Sequence, residues 1–356
     1  MVDLSLEIPT YNEAGNLPVL IERLEGLNLD LEIIIIDDNS PDGTYEVAQE
    51  LAEKYHNIKT LKRPGKLGLA SAISDGLKLA TGNYVAVMDA DLQHPPETLL
   101  KMFEEAKKGT DIIIASRYTN KGGLGKFGLL RRLTSKGATF LTHALLRETR
   151  SIKDPMSGFF IFRRSILDGK KIESSGYKVL LEVLVKSGSG AKVSEIPYVF
   201  GKRTLGESKL TVGENLKFIS LLLMLSHYRP MKFITVGATG ILVNEGLLFF
   251  LHTYTAMSLL FAGMISIETS ILSNFLLNHF WTFRDRSLGG WGRGVLKYNL
   301  VALPGALINL LTLLKLSAFT HYLIANIIGI ILAFAVNYLG SEMIVWGRGK
   351  RRQQVA

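Results

Sequence analysis

The sequence predicts an α/β unit with a mostly parallel sheet, followed by an all-α membrane unit of four helices in two hairpins. Three observations carry this reading. Short apolar runs alternate with helix-period stretches as far as Arg229-Pro230, four long apolar segments follow, and the 356 residues include no cysteine. The last removes disulfide scaffolds, Cys-ligated zinc and thiol nucleophiles. A hydrophobic content of 47% is too high for a disordered chain, and a net charge of +9 calls for an anionic partner.

Strands are predicted at 4–8, 31–37, 58–62, 83–88, 111–116, 159–163 and 193–199, with helices over 16–27 and 44–55. Leu31 to Asp37 contains four consecutive isoleucines, the pattern of a strand buried on both faces. Strands alternating with helices imply a largely parallel sheet whose ligands gather at the carboxyl ends of its strands.

The apolar segments 232–254, 256–280, 296–316 and 321–346 match the ~20 residues that cross ~30 Å of hydrocarbon as helix. The short stretch between Trp281 and Gly292 supplies no polar shell that would make them a soluble core. Met1 leads directly into the strand-like Leu4 to Ile8, with no secretory signal. Arg284, Arg286, Arg293 and Lys297 lie between the second and third segments, and Arg348, Lys350, Arg351 and Arg352 follow the fourth. The turns near 253–258 and 317–322 carry neither Lys nor Arg, so the α/β unit, the central loop and both ends are expected in the cytoplasm. The segments also repeat. Lys232-Phe233, Val236, Gly240 and Asn244 align with Lys297-Tyr298, Val301, Gly305 and Asn309. Asn274-Phe275 and Phe283 align with Asn337-Tyr338 and Trp346, a parallel duplication of one hairpin.

Polar clusters close the apolar runs. The first strand ends in Pro9-Thr10-Tyr11-Asn12-Glu13, the second in Asp37-Asp38-Asn39-Ser40-Pro41-Asp42-Gly43-Thr44. Turn and cap chemistry accounts for Ser40 to Thr44 but not for two adjacent acids, which suit the N–H groups of a nucleobase. No dinucleotide-binding glycine fingerprint and no P-loop occur, and Gly65-Lys66-Leu67-Gly68 resembles a phosphate loop only superficially. The strongest signal is Asp89-Ala90-Asp91-Leu92-Gln93-His94-Pro95 after the strand Tyr84 to Met88. If that segment is extended, Asp89, Asp91 and Gln93 present three oxygen-bearing side chains in one direction, a set suited to Mg²⁺ or Mn²⁺ with substrate phosphate.

With these motifs, residues 4–44 and 62–97 resemble glycosyltransferase family 2 with its GT-A fold. The resemblance extends through Ala115-Ser116-Arg117-Tyr118, Asp154-Pro155-Met156-Ser157-Gly158-Phe159 and Arg203-Thr204-Leu205-Gly206-Glu207-Ser208-Lys209, which are similar to dolichol-phosphate mannose synthases. The apolar half resembles GtrA-like four-span domains. The implied domains are 1–229, catalytic, and 230–356, membrane. The implied reaction is transfer of mannose from GDP-mannose to dolichyl (polyprenyl) phosphate, inverting and metal-dependent. By position, the resemblance assigns the donor to Pro9, Tyr11, Glu13, Ile36, Asp38, Asp89, Ala90, Asp91, Gln93, Lys178, Arg203 and Lys209. It assigns Mg²⁺ or Mn²⁺ to Asp89, Asp91 and Gln93, and makes Asp91, Arg117 and Arg203 the catalytic groups. Sequence leaves open which of Asp37 and Asp38 reads the base; Asp38, beyond the buried end of the strand, is the expectation.

A phosphate monoester is largely a dianion at neutral pH, so no catalytic base is assigned. Cations must dock it instead. Arg117, Arg131 and Ser135 are the main candidates, with Lys178 secondary. Residues 126–147 interleave Lys126, Arg131, Arg132 and Lys136 with leucine and phenylalanine, which suits the head-group boundary or an ordinary surface helix. Residues 213–228 form a second interfacial stretch. Gly122-Gly123 and Gly125 suggest a mobile loop. A nucleic-acid partner is not expected, since no basic stripe with stacking aromatics occurs. Glu245 and Glu268 fall inside predicted spans, as hydrogen-bonded helix contacts or as a polar route for a head group. The alternatives are a UDP-sugar donor and a lipid-sugar flippase; a processive synthase is disfavoured, since Gln-x-x-Arg-Trp is missing.

Overall fold

The computed structural model describes residues 2–120, 122–123, 129–173, 176–188, 190–201, 212–255 and 257–347. The chain forms two compact units, Met1–Leu225 and Ser226–Ala356.

In the first unit the apolar runs become β1 (Leu4–Thr10), β2 (Leu31–Asp37), β3 (Ile58–Lys62), β4 (Tyr84–Val87), β5 (Ile112–Ser116), β6 (Phe160–Arg163) and β7 (Val193–Pro197). Helices α1 (Leu17–Glu25), α2 (Thr44–Lys54), α3 (Leu69–Gly76), α4 (Thr98–Lys107), α5 (Leu129–Leu145), α6 (Val179–Ser187) and α7 (Val212–Leu225) complete it. Sheet order is β3-β2-β1-β4-β6-β5-β7. All adjacent pairs are parallel except those made by β6, which runs antiparallel to β4 and β5. This is the GT-A arrangement. Its single reversed strand matters: β6 begins where β4 and β5 end, so the loop before Phe160 reaches the same rim as the segments after Val87 and Ser116.

Strand alternation fills both faces of the sheet. Ile33 and Ile35 pack with Leu6, Ile8, Leu20 and Met102 on one face. Ile34 and Ile36 pack with Val85, Ile73 and Val183 on the other. The second face also holds Glu7, fully buried, with neither carboxyl oxygen hydrogen-bonded. Gly76 makes the room: a Cβ there would lie 2.8 Å from the Glu7 carboxyl carbon. Burial, which disfavours the charged form, raises the pKa of Glu7 well above the ordinary range.

The second unit contains α8 (Arg229–Tyr254), α9 (Leu259–Leu277), α10 (Trp291–Leu316) and α11 (Tyr322–Gly340). Its spans cover Arg229–Tyr254, Leu260–Thr282, Trp291–Leu316 and Ile327–Val345, and the chain is a membrane protein. Pro230 lies in the first turn of α8, where proline removes only an N–H that has no helical partner. The duplication predicted from sequence is visible in the packing. Asn274 lies against Gly240 and Asn337 against Gly305, at equivalent positions of the two hairpins. Each hairpin ends in a π-helical turn, Asn278–Thr282 and Ser341–Val345. Beside these turns Arg229 pairs with Asp285 at 2.7 Å and Arg286 with Glu342 at 2.6 Å, while Phe283 stacks on Trp346. Arg286, counted above among the loop cations, is thus buried and neutralised within the unit.

Candidate active site

The rim begins with two loops latched together. After β1, Asn12 adopts φ 58°, and its N–H donates to Ser40 Oγ at 3.0 Å. The N–H of Glu13 donates to Thr44 Oγ1 at 2.9 Å, and that of Ala14 to Asp42 Oδ2 at 3.2 Å. The two adjacent acids then separate in role. Asp37 is fully buried and accepts hydrogen bonds from Ser40 N–H at 2.8 Å, Ser40 Oγ and Thr10 Oγ1. Asp38 is also buried, paired with Arg63 and accepting the Gly68 N–H at 2.9 Å. A carboxylate offers about four acceptor positions, so Asp38 keeps capacity for a ligand. Arg63 is the buried support: it also donates to Ser71 Oγ at 2.6 Å and lies 3.2 Å from Asp75. Lys66 sits over the Tyr11 ring at 4.0 Å, close enough for a cation–π contact. Pro9 is half-buried at the rim. The Ile36 side chain is in the core, and its carbonyl accepts from Thr10 Oγ1 at 3.3 Å at this edge, so any donor contact of Ile36 would be through its backbone.

The Asp89–Gln93 segment also departs from expectation. β4 stops at Val87, and Leu92 has φ 60°, so the motif is a turn and not an extended run. Asp91 Oδ1 accepts the Gln93 N–H at 3.1 Å, closing that turn. Gln93 Nε2 donates to the Gly201 carbonyl at 3.2 Å, and Ala90 is buried beneath. Asp89 stays half-exposed between two supports. His94 Nε2 lies 3.4 Å from its Oδ2, and a Cβ on Gly158 would lie 2.8 Å from the same oxygen. The His94 ring is itself buried in a box of Phe159, Tyr198 and Phe200, each about 5.5 Å away between centroids.

Opposite stands Arg117, after β5. Asp154, itself fully buried, takes its Nε and Nη2 at 2.8 Å each and its backbone N–H at 3.0 Å. The backbone N–H groups of Lys153 and Asp154 donate to Glu195 at 2.9 Å, fixing the acid in turn. Burial would lower the Arg117 pKa, but Asp154 raises it further, so the guanidinium is permanently charged. Tyr118 Oη and Ser135 Oγ are 2.7 Å apart, which brings α5 to the Arg117 side. Lys178 Nζ donates to the Met156 carbonyl at 3.1 Å. One loop therefore serves three functional groups: Asp154 holds Arg117, Met156 receives Lys178, and Gly158 faces Asp89. Gly122-Gly123 is pinned here too, since Gly123 exchanges backbone hydrogen bonds with Tyr198 and Phe200. Arg203 and Lys209 lie outside the described residues, as does the Arg131 side chain.

Arg63, His94, Asp154, Gly158 and Lys66 had no role from sequence. Each acts through a partner remote in the chain, except His94, which stood in the motif beside the acids it supports.

An all-oxygen donor set of two carboxylates and an amide fits a hard divalent cation. Among the described residues no group of three or more His, Asp or Glu gathers here, so substrate phosphate and water would complete such a shell.

Residues 5–169 match the model of glycosyl transferase family 2, and 232–346 that of the GtrA/DPMS transmembrane domain. The class is a GT-A glycosyltransferase with its own membrane domain. Over 353 residues the chain is 43% identical to a dolichol-phosphate mannosyltransferase of Pyrococcus furiosus, covering 96% of this chain and 99% of that one. Over 223 residues it is 36% identical to the Saccharomyces cerevisiae dolichol-phosphate mannosyltransferase, covering 59% and 82%. A crystal structure described as that of a mycobacterial protein superposes with a TM-score of 0.51 at 19% identity, over 63% of this chain and 75% of that one. The chain belongs to the dolichol-phosphate mannosyltransferase family.

Proposed function

We propose that the chain transfers mannose from GDP-mannose to a dolichyl or other polyprenyl phosphate, with inversion at the anomeric carbon. The observation that carries this reading is the shared loop 154–158, which holds a permanently charged arginine through Asp154 and lies against a half-exposed aspartate at Gly158. A donor diphosphate and an acceptor phosphate need that opposition of charges.

The nucleoside would lie along Pro9, Tyr11 and Glu13, with Asp38 accepting the guanine ring N–H and exocyclic amine. Asp89, Asp91 and Gln93 would hold Mg²⁺ or Mn²⁺. That ion, when bound, supplies charge neutralisation to the departing diphosphate. Arg117, aided by Lys178, Ser135 and, outside the described residues, Arg131, would dock the acceptor phosphate. Arg203 and Lys209 would meet the diphosphate or the acceptor phosphate. The acceptor oxygen attacks the anomeric carbon, the bond to the GDP oxygen breaks, and no side chain needs to remove a proton.

Residues 1–229 would be the catalytic domain, with both chain ends cytoplasmic, and 230–356 the membrane domain. Apolar side chains at Leu133, Phe140, Leu216 and Ile219 are exposed on α5 and α7, which supports their lying on the bilayer surface. The full chain, given GDP-mannose, Mn²⁺ and a prenyl phosphate, is expected to release GDP and form a β-linked lipid mannoside. Asp91→Ala should lower turnover on the order of 100-fold or more. Equal turnover with UDP-sugars would remove the base assignment, and full activity of the variant would remove the metal assignment.

A further inference from the structure

The strip that follows β7 is tied to both sides of the rim by main-chain hydrogen bonds. Tyr198 N–H donates to the Ser116 carbonyl at 3.2 Å, Gly123 N–H to the Tyr198 carbonyl at 3.1 Å, and Phe200 N–H to the Gly123 carbonyl at 3.0 Å. One residue on, the strip reaches the Asp89–Gln93 turn. Gly201 N–H donates to the Gln93 carbonyl at 2.8 Å, and the Gly201 carbonyl accepts Gln93 Nε2 at 3.2 Å. A Cβ on Gly201 would lie 3.3 Å from the Leu92 and Gln93 carbonyl oxygens, so glycine eases this close approach of two backbones. Residues 198–201 thus join the end of β5, which Arg117 follows, to the acidic turn.

The half-buried Phe200 side chain repeats that connection. Arg117 Cζ lies over its ring, 5.6 Å from the centroid, within the range of a cation–π contact. The His94 ring meets the same ring at 5.4 Å between centroids and 81° between planes, an edge-to-face pair. His94 Nε2 in turn lies 3.4 Å from Asp89 Oδ2. Asp154 grips the guanidinium through Nε and Nη2, which restrains it within its own plane. A ring below the guanidinium restrains it across that plane. Tyr118 also lies near, 5.7 Å from Arg117 Cζ, but its hydroxyl is engaged with Ser135 and so serves the α5 side.

We infer that Phe200 is a positioning residue for both substrates at once. Its ring holds Arg117 toward the acceptor phosphate and, through His94, holds Asp89 toward the metal-bound diphosphate of the donor. The identity of those ligands rests on the transfer reading above. A phenylalanine that only filled space would be replaced by leucine at little cost to either ligand. One that supplies a π face to a cation on one side and to an imidazole on the other would not.

The test uses the full chain in detergent and measures binding, not turnover. A short, water-soluble prenyl phosphate is titrated by calorimetry, and Mn²⁺ with GDP by the electron paramagnetic resonance signal of the free ion. Phe200→Leu is expected to weaken prenyl phosphate about fivefold and Mn²⁺ with GDP about threefold, the sizes of one cation–π contact and one aromatic pair. Phe200→Tyr, which keeps the ring, should bind both as the wild type does. In an Arg117→Gln background the leucine should cost nothing further for prenyl phosphate, and in a His94→Phe background nothing further for Mn²⁺ with GDP. A ring that merely supported the fold would weaken both ligands by the same factor in every background. Losses that persist in those backgrounds, a loss confined to one ligand, or wild-type affinities in Phe200→Leu would each overturn the assignment while leaving the transfer reading intact. A wild-type chain that bound neither ligand would overturn the transfer reading, and the assignment with it.

Discussion

Two buried aspartate–arginine pairs flank the Asp89–Asp91 turn, and they are mounted in opposite senses. In the pair after β2 and β3 the arginine is the inner member: the Arg63 side chain is 3% exposed against 9% for Asp38. In the pair after β5 the acid is inner: the Asp154 side chain is 1% exposed against 13% for Arg117. In each pair the deeper partner is tied by further hydrogen bonds, and the shallower one faces the rim. On the proposed reading, the same two residue types would yield an acceptor of N–H groups at one end and a cation for phosphate at the other. A buried ion pair is a doubtful source of stability, but it fixes the direction of the member that remains accessible.

The largest effect should come from removing an inner member. Asp154→Ala leaves Arg117 with no counter-ion and is expected to cost about 3–5 kcal/mol of stability, seen as a fall in thermal midpoint. A wild-type midpoint in this variant would mean the pair is mounted differently. A smaller effect is expected from Gly158→Ala, which touches the turn between the pairs. The added methyl must push Asp89 Oδ2 away, and turnover should fall on the order of 10-fold while the midpoint barely moves. Turnover at the wild-type level would show that Asp89 is not held from that side.

A change of opposite sign belongs to an acid with no hydrogen-bond partner among the described residues. Glu7→Leu removes a buried carboxyl group and should raise stability by about 1–3 kcal/mol at neutral pH. The sign follows from linkage: the folded chain holds the Glu7 proton more tightly than the unfolded one. Its contribution is therefore complete below the unfolded value near 4.5 and declines as pH rises from there toward the raised folded value. The variant should lack that decline in a pH series of melts. A decline of equal size in both proteins would assign it to another group.

Much of this was legible in the residues. Seven apolar runs marked seven strands, because a strand buried on one or both faces cannot hide its composition. Asp89-Ala90-Asp91 and the repeated Gly and Asn of the membrane half were equally open to reading. The supports were not. Arg63 is 25 residues from Asp38 and Asp154 is 37 from Arg117, and no local pattern announces a partner that far along the chain. The reach of the strand was also misread: continuing it through Asp89 set three side chains on one face, whereas Leu92 turns the backbone and lets Asp91 bond back to Gln93.

Kinetics of Asp38→Asn and Asp154→Asn, measured for both substrates, bear most directly on the opposed mounting. The expected result is a crossing: Asp38→Asn raises KM for GDP-mannose alone, and Asp154→Asn raises KM for the prenyl phosphate alone. If both variants raised the same Michaelis constant, the two pairs would not serve opposite substrates, and the account of this rim would be wrong.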